Sequence, residues 1–188
     1  MNTYVILMRG INVGGKNNVP MLGLRQCLED LGFASVSTYI ASGNVILDSD
    51  KKSDDIKYQI ESTLIKSFKL DSDLIKVLVL SPKQLQSVID KKPEGFGDQP
   101  AKYHSDAIFL IDIDAAQAMP VFSPREGVDR IWPGNGVIYS QRVSALRTKS
   151  RLNKIMSSPV YKSMTIRSWN TTINLCAILK DREDNKAV

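Results

Sequence analysis

Histidine is nearly absent from this 188-residue chain: His104 stands alone. One imidazole excludes a paired-histidine metal site and makes any Ser-His-Asp arrangement depend on a single position. Its flanks, Tyr103 and Ser105, open a strand, which suits a solvated or structural histidine better than a catalytic one. Cysteine is as scarce, at two residues, which excludes a cysteine-only zinc site, and a reducing compartment disfavours a disulfide between them. Cys27 and Cys176 fall on or beside helical apolar stripes and read as buried free thiols. No apolar run approaches the roughly 20 residues of a membrane helix. Met1-Asn2-Thr3 leads straight into a short strand, without the basic segment and apolar stretch of a signal peptide. The expectation is a cytoplasmic protein that does not engage membranes. No G-x-S-x-G string occurs, and no Cys, Ser or Lys has an identifiable base partner. Catalytic residues are therefore unknown, no cofactor or metal site is indicated, and whether the chain is an enzyme stays open.

What is present is ordinary in amount and uneven in placement. A composition of 43% hydrophobic and 24% charged residues suits one globular domain or two small halves. The net charge is +5, but residues 127–180 hold nine Lys/Arg against one acid, Asp129, while residues 1–126 are slightly acidic. A positive field of this kind attracts nucleic acid or phosphorylated ligands, or forms a solvated face that aids solubility.

Periodicity organises the first half. Tyr4–Met8 reads as a strand. Leu24, Cys27, Leu28 and Leu31 follow at helical spacing, with Pro20 at the helix start and Gly32 past its end. Val36–Ala41 and Val45–Leu47 read as strands about a Ser42-Gly43-Asn44 turn. A helix opens at Ser53-Asp54-Asp55 and carries Ile56, Ile60, Leu64 and Phe68; Leu74–Leu80 is the fourth strand. The order is that of a ferredoxin-like β-α-β-β-α-β unit, an antiparallel sheet with both helices on one face. The fold class is thus α+β, with this unit over 1–80 and a smaller, basic, mixed α/β part with a helical C-terminus over 81–188. In the latter, Ser81-Pro82-Lys83-Gln84 is a capping box, and the Pro- and Gly-bearing stretch 91–102 is a loop and candidate boundary. Ala107–Ile111 is a strand. Val128–Trp132 and Val137–Tyr139 form a hairpin, helices occupy Ser150–Met156 and Asn170–Lys180, and residues 181–188 fray. Asp112 and Asp114 suit helix capping better than a shared cation. Trp132 and Trp169 read as core or interface residues.

The segment that concentrates chemistry is Arg9-Gly10-Ile11-Asn12-Val13-Gly14-Gly15-Lys16-Asn17-Asn18, directly after the first strand. Glycines allow close backbone approach, and a helix N-terminus follows, a setting in which N–H groups converge on anions. The string fits G-x-x-x-x-G-K, but Asn17 stands where a nucleotide-binding P-loop needs Ser or Thr for magnesium, and the helix starts a turn late. The antiparallel sheet also contradicts a P-loop fold. In the expected topology, the ends of strands one and two share an edge. This gathers Arg9, Gly10, Asn12, Gly14, Gly15, Lys16, Asn17, Ser42 and Asn44 into a ligand-binding set with Asn18 beside it. Equally, such amides serve loop backbone groups. Arg167, before the last helix, is a second anion contact that joins the set if the halves fold together, or a residue bonded to nearby carbonyls. An RNA-recognition surface on the first sheet lacks support, because Val45-Ile46-Leu47 carries no aromatic platform.

Leu7–Lys16, Val19-Pro20-Met21, Leu31-Gly32-Phe33, Thr38-Tyr39-Ile40 and Ser42–Val45 together resemble the bacterial domain-of-unknown-function 1697 family. Thr165–Thr171 followed by Leu175 is similar to that family's C-terminal pattern, which usually has Asn at the place of Ser168. The resemblance implies a small cytosolic bacterial α/β protein with ferredoxin-like elements, and it supplies no activity. Three readings stand: a binder of a small anionic or phosphorylated ligand at the glycine-rich loop; a nucleic-acid-binding module using residues 127–180; and a structural protein that homodimerises through strand edges.

Overall fold

The protein is described from a computed structural model, over residues 1–68, 70 and 75–186. It is an α+β protein with two four-stranded antiparallel sheets and five α-helices among the described residues. The chain divides into two compact units. One comprises Met1–Leu85 with the chain from Arg182, the other Gln86–Asp181.

In the first unit, β1 (Asn2–Arg9), α1 (Met21–Asp30), β2 (Ala34–Tyr39), β3 (Asn44–Ser49), α2 (Ser53–Phe68) and β4 (Lys76–Leu80) follow in order. The strands lie in the order β2-β3-β1-β4 with every neighbour antiparallel. Leu74, the expected first residue of the fourth strand, lies outside the described residues. Strand pairing puts Ile6 opposite Val45 and Val79, and Met8 opposite Val77, so these side chains share one face. Leu24 and Leu28 of α1 and Ile56, Ile60 and Leu64 of α2 pack into the same core. Both helices therefore cover one face of the sheet. Val5, Leu7 and Ile46 are buried as well, so β1 and β3 are apolar on both faces and read as near-continuous runs.

The ends of α1 follow the sequence closely. Gly32, at φ +85°, donates to the Glu29 carbonyl and Phe33 donates to the Leu28 carbonyl, which is a Schellman closure. At the other end Pro20 occupies the cap position and supplies no side-chain hydrogen bond.

The second unit contains most of α3 (Pro82–Asp90), then β5 (Tyr103–Leu110), α4 (Ala115–Ala118), β6 (Asp129–Pro133), β7 (Val137–Val143), β8 (Met164–Ser168) and most of α5 (Trp169–Lys186). The Ser81–Gln84 capping box forms as expected, with bonds of 2.8 and 3.2 Å. Asp114 caps α4 in the same reciprocal way with Gln117.

In this half β6-β7-β5-β8 form a four-stranded antiparallel sheet. Periodicity does not mark β8, which is only five residues long and lacks clean alternation because Met164, Thr165 and Arg167 are all buried. Two expectations for this half need correction. The helix expected over Ser150–Met156 is a 3-10 segment, Leu152–Ser157, whose three-residue turn brings the buried pair Leu152 and Ile155 to one side. Finally, the C-terminus does not fray at 181, because α5 continues to Lys186. Arg182 anchors it, donating to the Ser35 carbonyl and lying 3.7 Å from Asp48 Oδ2.

Phe96 is fully buried and edge-on to Trp132, Tyr139 and Trp169, with centroids 5.0–5.9 Å away. Tyr139 donates to the Val88 carbonyl at 2.8 Å, and burial raises its phenol to about 12. Gly97 is required beside this cluster. Its φ is +78°, and a Cβ there would meet the Trp169 ring at 2.4 Å.

Both cysteines are free, but only Cys176 is buried; Cys27 is half-buried, a correction to its expected burial. Burial raises the Cys176 thiol from 9.0 to about 11. The folded state thus keeps the neutral thiol. Its contribution to stability is complete below about pH 9 and is lost as pH rises toward 11. Melting temperature should therefore fall more steeply from pH 9 to pH 11 in the parent chain than in Cys176→Ala, measured by circular dichroism. Equal slopes would remove this group from the account.

Candidate functional site

The loop between β1 and α1 is built by its own amides. Asn12 and Asn17 both adopt positive φ, at 53° and 50°, a region that asparagine tolerates better than most residues. Their backbones meet through an Asn12 N–H to Asn17 carbonyl bond of 2.9 Å, and the Asn17 amide donates to the Gly10 carbonyl at 2.8 Å. The Asn12 carboxamide donates to the carbonyls of Val19 and Ala41 at 3.0 and 2.9 Å, and accepts from the Val19 N–H at 2.7 Å. One side chain thus ties the loop to the start of α1 and to the turn after β2. Lys16 N–H closes on the Val13 carbonyl at 3.0 Å, so Val13–Lys16 is a small hairpin tip.

The β2–β3 turn completes the assembly. The Asn44 amide donates to the Tyr39 carbonyl and to Ser42 Oγ, at 3.0 and 2.9 Å. Met8 N–H donates to the Gly43 carbonyl at 2.8 Å. Gly43 has φ +74°, and a Cβ there would lie 2.9 Å from both Met8 Cβ and Ile11 Cδ1. Glycine is required because the turn rests directly on the loop. Ile11 and Val19 anchor that contact in the core of the first unit.

The structure therefore brings the loop and the Ser42–Asn44 turn together. It turns the amides of Asn12, Asn17 and Asn44 toward backbone groups and Ser42. What faces solvent is the tip Val13-Gly14-Gly15-Lys16, together with Asn18, Pro20 and Leu22. The first turn of α1 has no side-chain cap and no acid, so no capping side chain or carboxylate offsets the positive end of the helix there. Arg9 is half-buried at the end of β1, opposite Lys76 of β4.

Arg167 lies in the second unit, in β8, and is 6% exposed. It donates to Thr165 Oγ1 and to the Ile166 carbonyl, both at 2.9 Å, and burial lowers its pKa to about 10. Ser168, two places before Asn170, caps α5: it accepts from Thr171 N–H at 3.2 Å and shares a hydrogen bond with Thr171 Oγ1.

A polar group on the second sheet was not legible beforehand. His104 Nε2 lies 3.1 Å from Asp106 Oδ1, and Arg142 Nη2 lies 3.5 Å from Asp106 Oδ2. Burial raises the Asp106 carboxyl, opposed by the charges of His104 and Arg142. The signal was present only as alternation, since residues 104 and 106 share a face and Arg142 pairs with His104 across the strands. Asp129, the single acid of the basic third, accepts from the N–H groups of Arg125 and Arg151 at 2.9 and 2.8 Å and thereby fastens two loops. Among the described residues no group of three or more His, Cys, Asp or Glu is placed to hold a metal ion, and no helix is long and apolar enough to cross a membrane.

A family model described as a protein of unknown function, DUF1697, matches residues 1–139. The chain belongs to the DUF1697 family. The match contains the whole β1–α1 loop and the Ser42–Asn44 turn, and it ends before Arg167. No curated protein matches the chain at a significant level. Among solved structures, this DUF1697 chain is similar to the conserved bacterial protein SP0830 from Streptococcus pneumoniae. The two share 26% identity and a TM-score of 0.77, over 94% of this chain and 98% of that one.

The construction of the loop gives a direct expectation. Removing the Asn12 carboxamide orphans two carbonyls and one N–H, which costs about 1–3 kcal/mol where such groups stay desolvated. Asn12→Ala should lower unfolding free energy by that amount in urea titration. It should also speed amide hydrogen exchange at Val19 and at position 12. Unchanged exchange there would contradict the assignment.

Proposed function

We propose that this DUF1697 protein is a bacterial cytosolic protein that binds a small anionic or phosphorylated ligand at the loop between β1 and α1. The observation that carries the reading is the division of labour in that loop. Its amides are spent inward on backbone groups, while the exposed Gly14-Gly15-Lys16 tip and the uncapped start of α1 face outward. Backbone N–H groups at the two glycines donate to a close-lying anion, because no Cβ stands in the way and neither glycine has an atom near its Cβ position. Lys16 supplies a mobile charge from the tip, and Arg9 a second from the base. Asn12 and Asn44 hold loop and turn in register, and so act on the ligand through the backbone. Ser42, exposed on the adjoining turn, supplies a hydroxyl at the rim. Arg167 is assigned to the second unit's own packing.

Calorimetric titration of the protein with inorganic pyrophosphate tests this reading. Binding should be saturable, raise the melting temperature with ligand concentration, and weaken about fivefold or more in Lys16→Ala, the loss of one charge-assisted contact. Absence of binding to pyrophosphate, phosphate and sugar phosphates, or binding indifferent to Lys16→Ala, would overturn it.

A second reading, nucleic-acid binding by the basic third, is favoured by one observation. Residues 144–163 expose Arg147, Lys149, Arg151, Lys154 and Lys162 along consecutive 3-10 turns and contain no acid. Arg142 and Arg167, within the same third, are withdrawn from that surface. If five phosphates are met, single-stranded binding should fall with a log–log salt slope of about −3.5, or about a hundredfold between 50 and 200 mM salt. A slope near zero in a fluorescence-anisotropy titration would set this reading aside.

A further inference from the structure

The second unit contains a cavity that the loop-centred reading does not use. It has a volume of about 450 Å³, within the range of small-molecule sites. Strand alternation builds it. Tyr103 pairs with Val143 and Arg130 pairs with Gln141, which places all four side chains on one face of the second sheet. Farther along the same face, Trp132 and Tyr139 pack with Phe96, so the aromatic cluster fills the middle of the face and the cavity takes its end. Lys102 and Glu126 stand at the rim.

The lining is specific in its chemistry. Tyr103 is the cavity's one aromatic ring, and it is only half-buried. Two cations already sit over it, Lys102 Nζ at 5.1 Å and Arg130 Cζ at 5.9 Å from the ring centroid. Neither cation forms an ion pair among the described residues. Gln141 is 2% exposed, and its amide is oriented by a 3.0 Å bond to Ser105 Oγ. A buried, oriented amide at a cavity wall holds its remaining acceptor in a fixed direction. Glu126 adds a negative group at the mouth, so the cavity offers acceptors as well as cations.

We propose that this cavity binds a nucleotide: a planar ring with amino donors that also carries a phosphate. The ring stacks on Tyr103, as bases stack on aromatic side chains. Arg130 and Lys102 move from the π face to the phosphate, where the guanidinium fork makes paired hydrogen bonds. Glu126 and the Gln141 carbonyl accept from the ring's amino and imino N–H groups. A phosphate alone would meet the cations but leave the ring unmatched. A neutral aromatic would leave the cations unsatisfied. This site is independent of the β1–α1 loop and of its ligand.

The test is titration of the full chain with AMP, UMP, ribose 5-phosphate and inorganic phosphate, read by calorimetry. In Lys16→Ala, which disables the loop, a nucleotide should bind the cavity more tightly than ribose 5-phosphate by about 5- to 150-fold, the range that base stacking supplies. Tyr103→Leu should remove that advantage and Tyr103→Phe should keep it. Arg130→Ala should weaken nucleotide binding while leaving the melting temperature near that of the parent chain. Persistence of this stacking-dependent binding in Lys16→Ala separates failure of this site from failure of the loop. The proposal is overturned if neither nucleotide binds at millimolar concentration, if ribose 5-phosphate binds equally well, or if Lys16→Ala abolishes nucleotide binding. Should Tyr103→Leu fail to fold, unaltered nucleotide affinity in Arg130→Ala overturns it alone.

Discussion

The Asn12 carboxamide holds the candidate site in shape. Its two N–H groups and its oxygen reach three backbone groups on two separate segments, the start of α1 and the turn after β2. Without it, a loop with five glycine or asparagine residues at positive φ between positions 10 and 17 has little to fix its course. Conformational freedom of that order is costly to suppress, and a binding surface gains affinity when the suppression is already complete. The glycines supply the reachable backbone conformation, and the asparagines select one member of it. Gly43 closes the arrangement from the other side, because only a residue without a side chain lets the turn rest on Met8 and Ile11.

The two units solve their burial problems differently. In the first, two amphipathic helices cover one face of a sheet whose central strands are apolar on both faces over Val5–Met8 and Val45–Leu47. In the second, one face is packed with short 3-10 segments and α4, around Ile108, Leu110, Ile138 and Met164. Its other face carries the aromatic cluster centred on Phe96. Short segments impose less regularity on a surface than long helices do. The face with the short segments accordingly carries an exposed basic run over residues 144–163, while the aromatic face keeps an open end beside Tyr103.

Much of the first unit was legible because periodicity and punctuation agreed. Leu24 and Leu28 lie on a helical stripe, Gly32 terminates it, and both inferences describe the same helix. The capping boxes are legible for the same reason, each being a local bond between residues three apart. In the second unit the signals conflicted. Thr165 and Arg167 are polar yet buried, so alternation did not mark β8. Residues 150–156 carry helical spacing, but a run with Ser150, Ser157, Ser158 and Pro159 at its ends sustains only 3-10 turns. At the candidate site the sequence placed loop and turn at one edge, but the direction of the amides depends on Val19 and Ala41, which no local pattern links. The family and the similar streptococcal structure extend the fold argument without adding an activity.

The central claim is that the loop's outward backbone donors receive an anion. It is tested most directly by amide chemical-shift perturbation in nitrogen-15-labelled protein during a pyrophosphate titration. Saturable shifts should concentrate at Gly14, Gly15 and the first-turn residues Met21, Leu22 and Gly23, with the side-chain amide signals of Asn12 and Asn44 nearly still. Shifts absent from those residues, or larger at the side-chain amides than at the loop backbone, would contradict it.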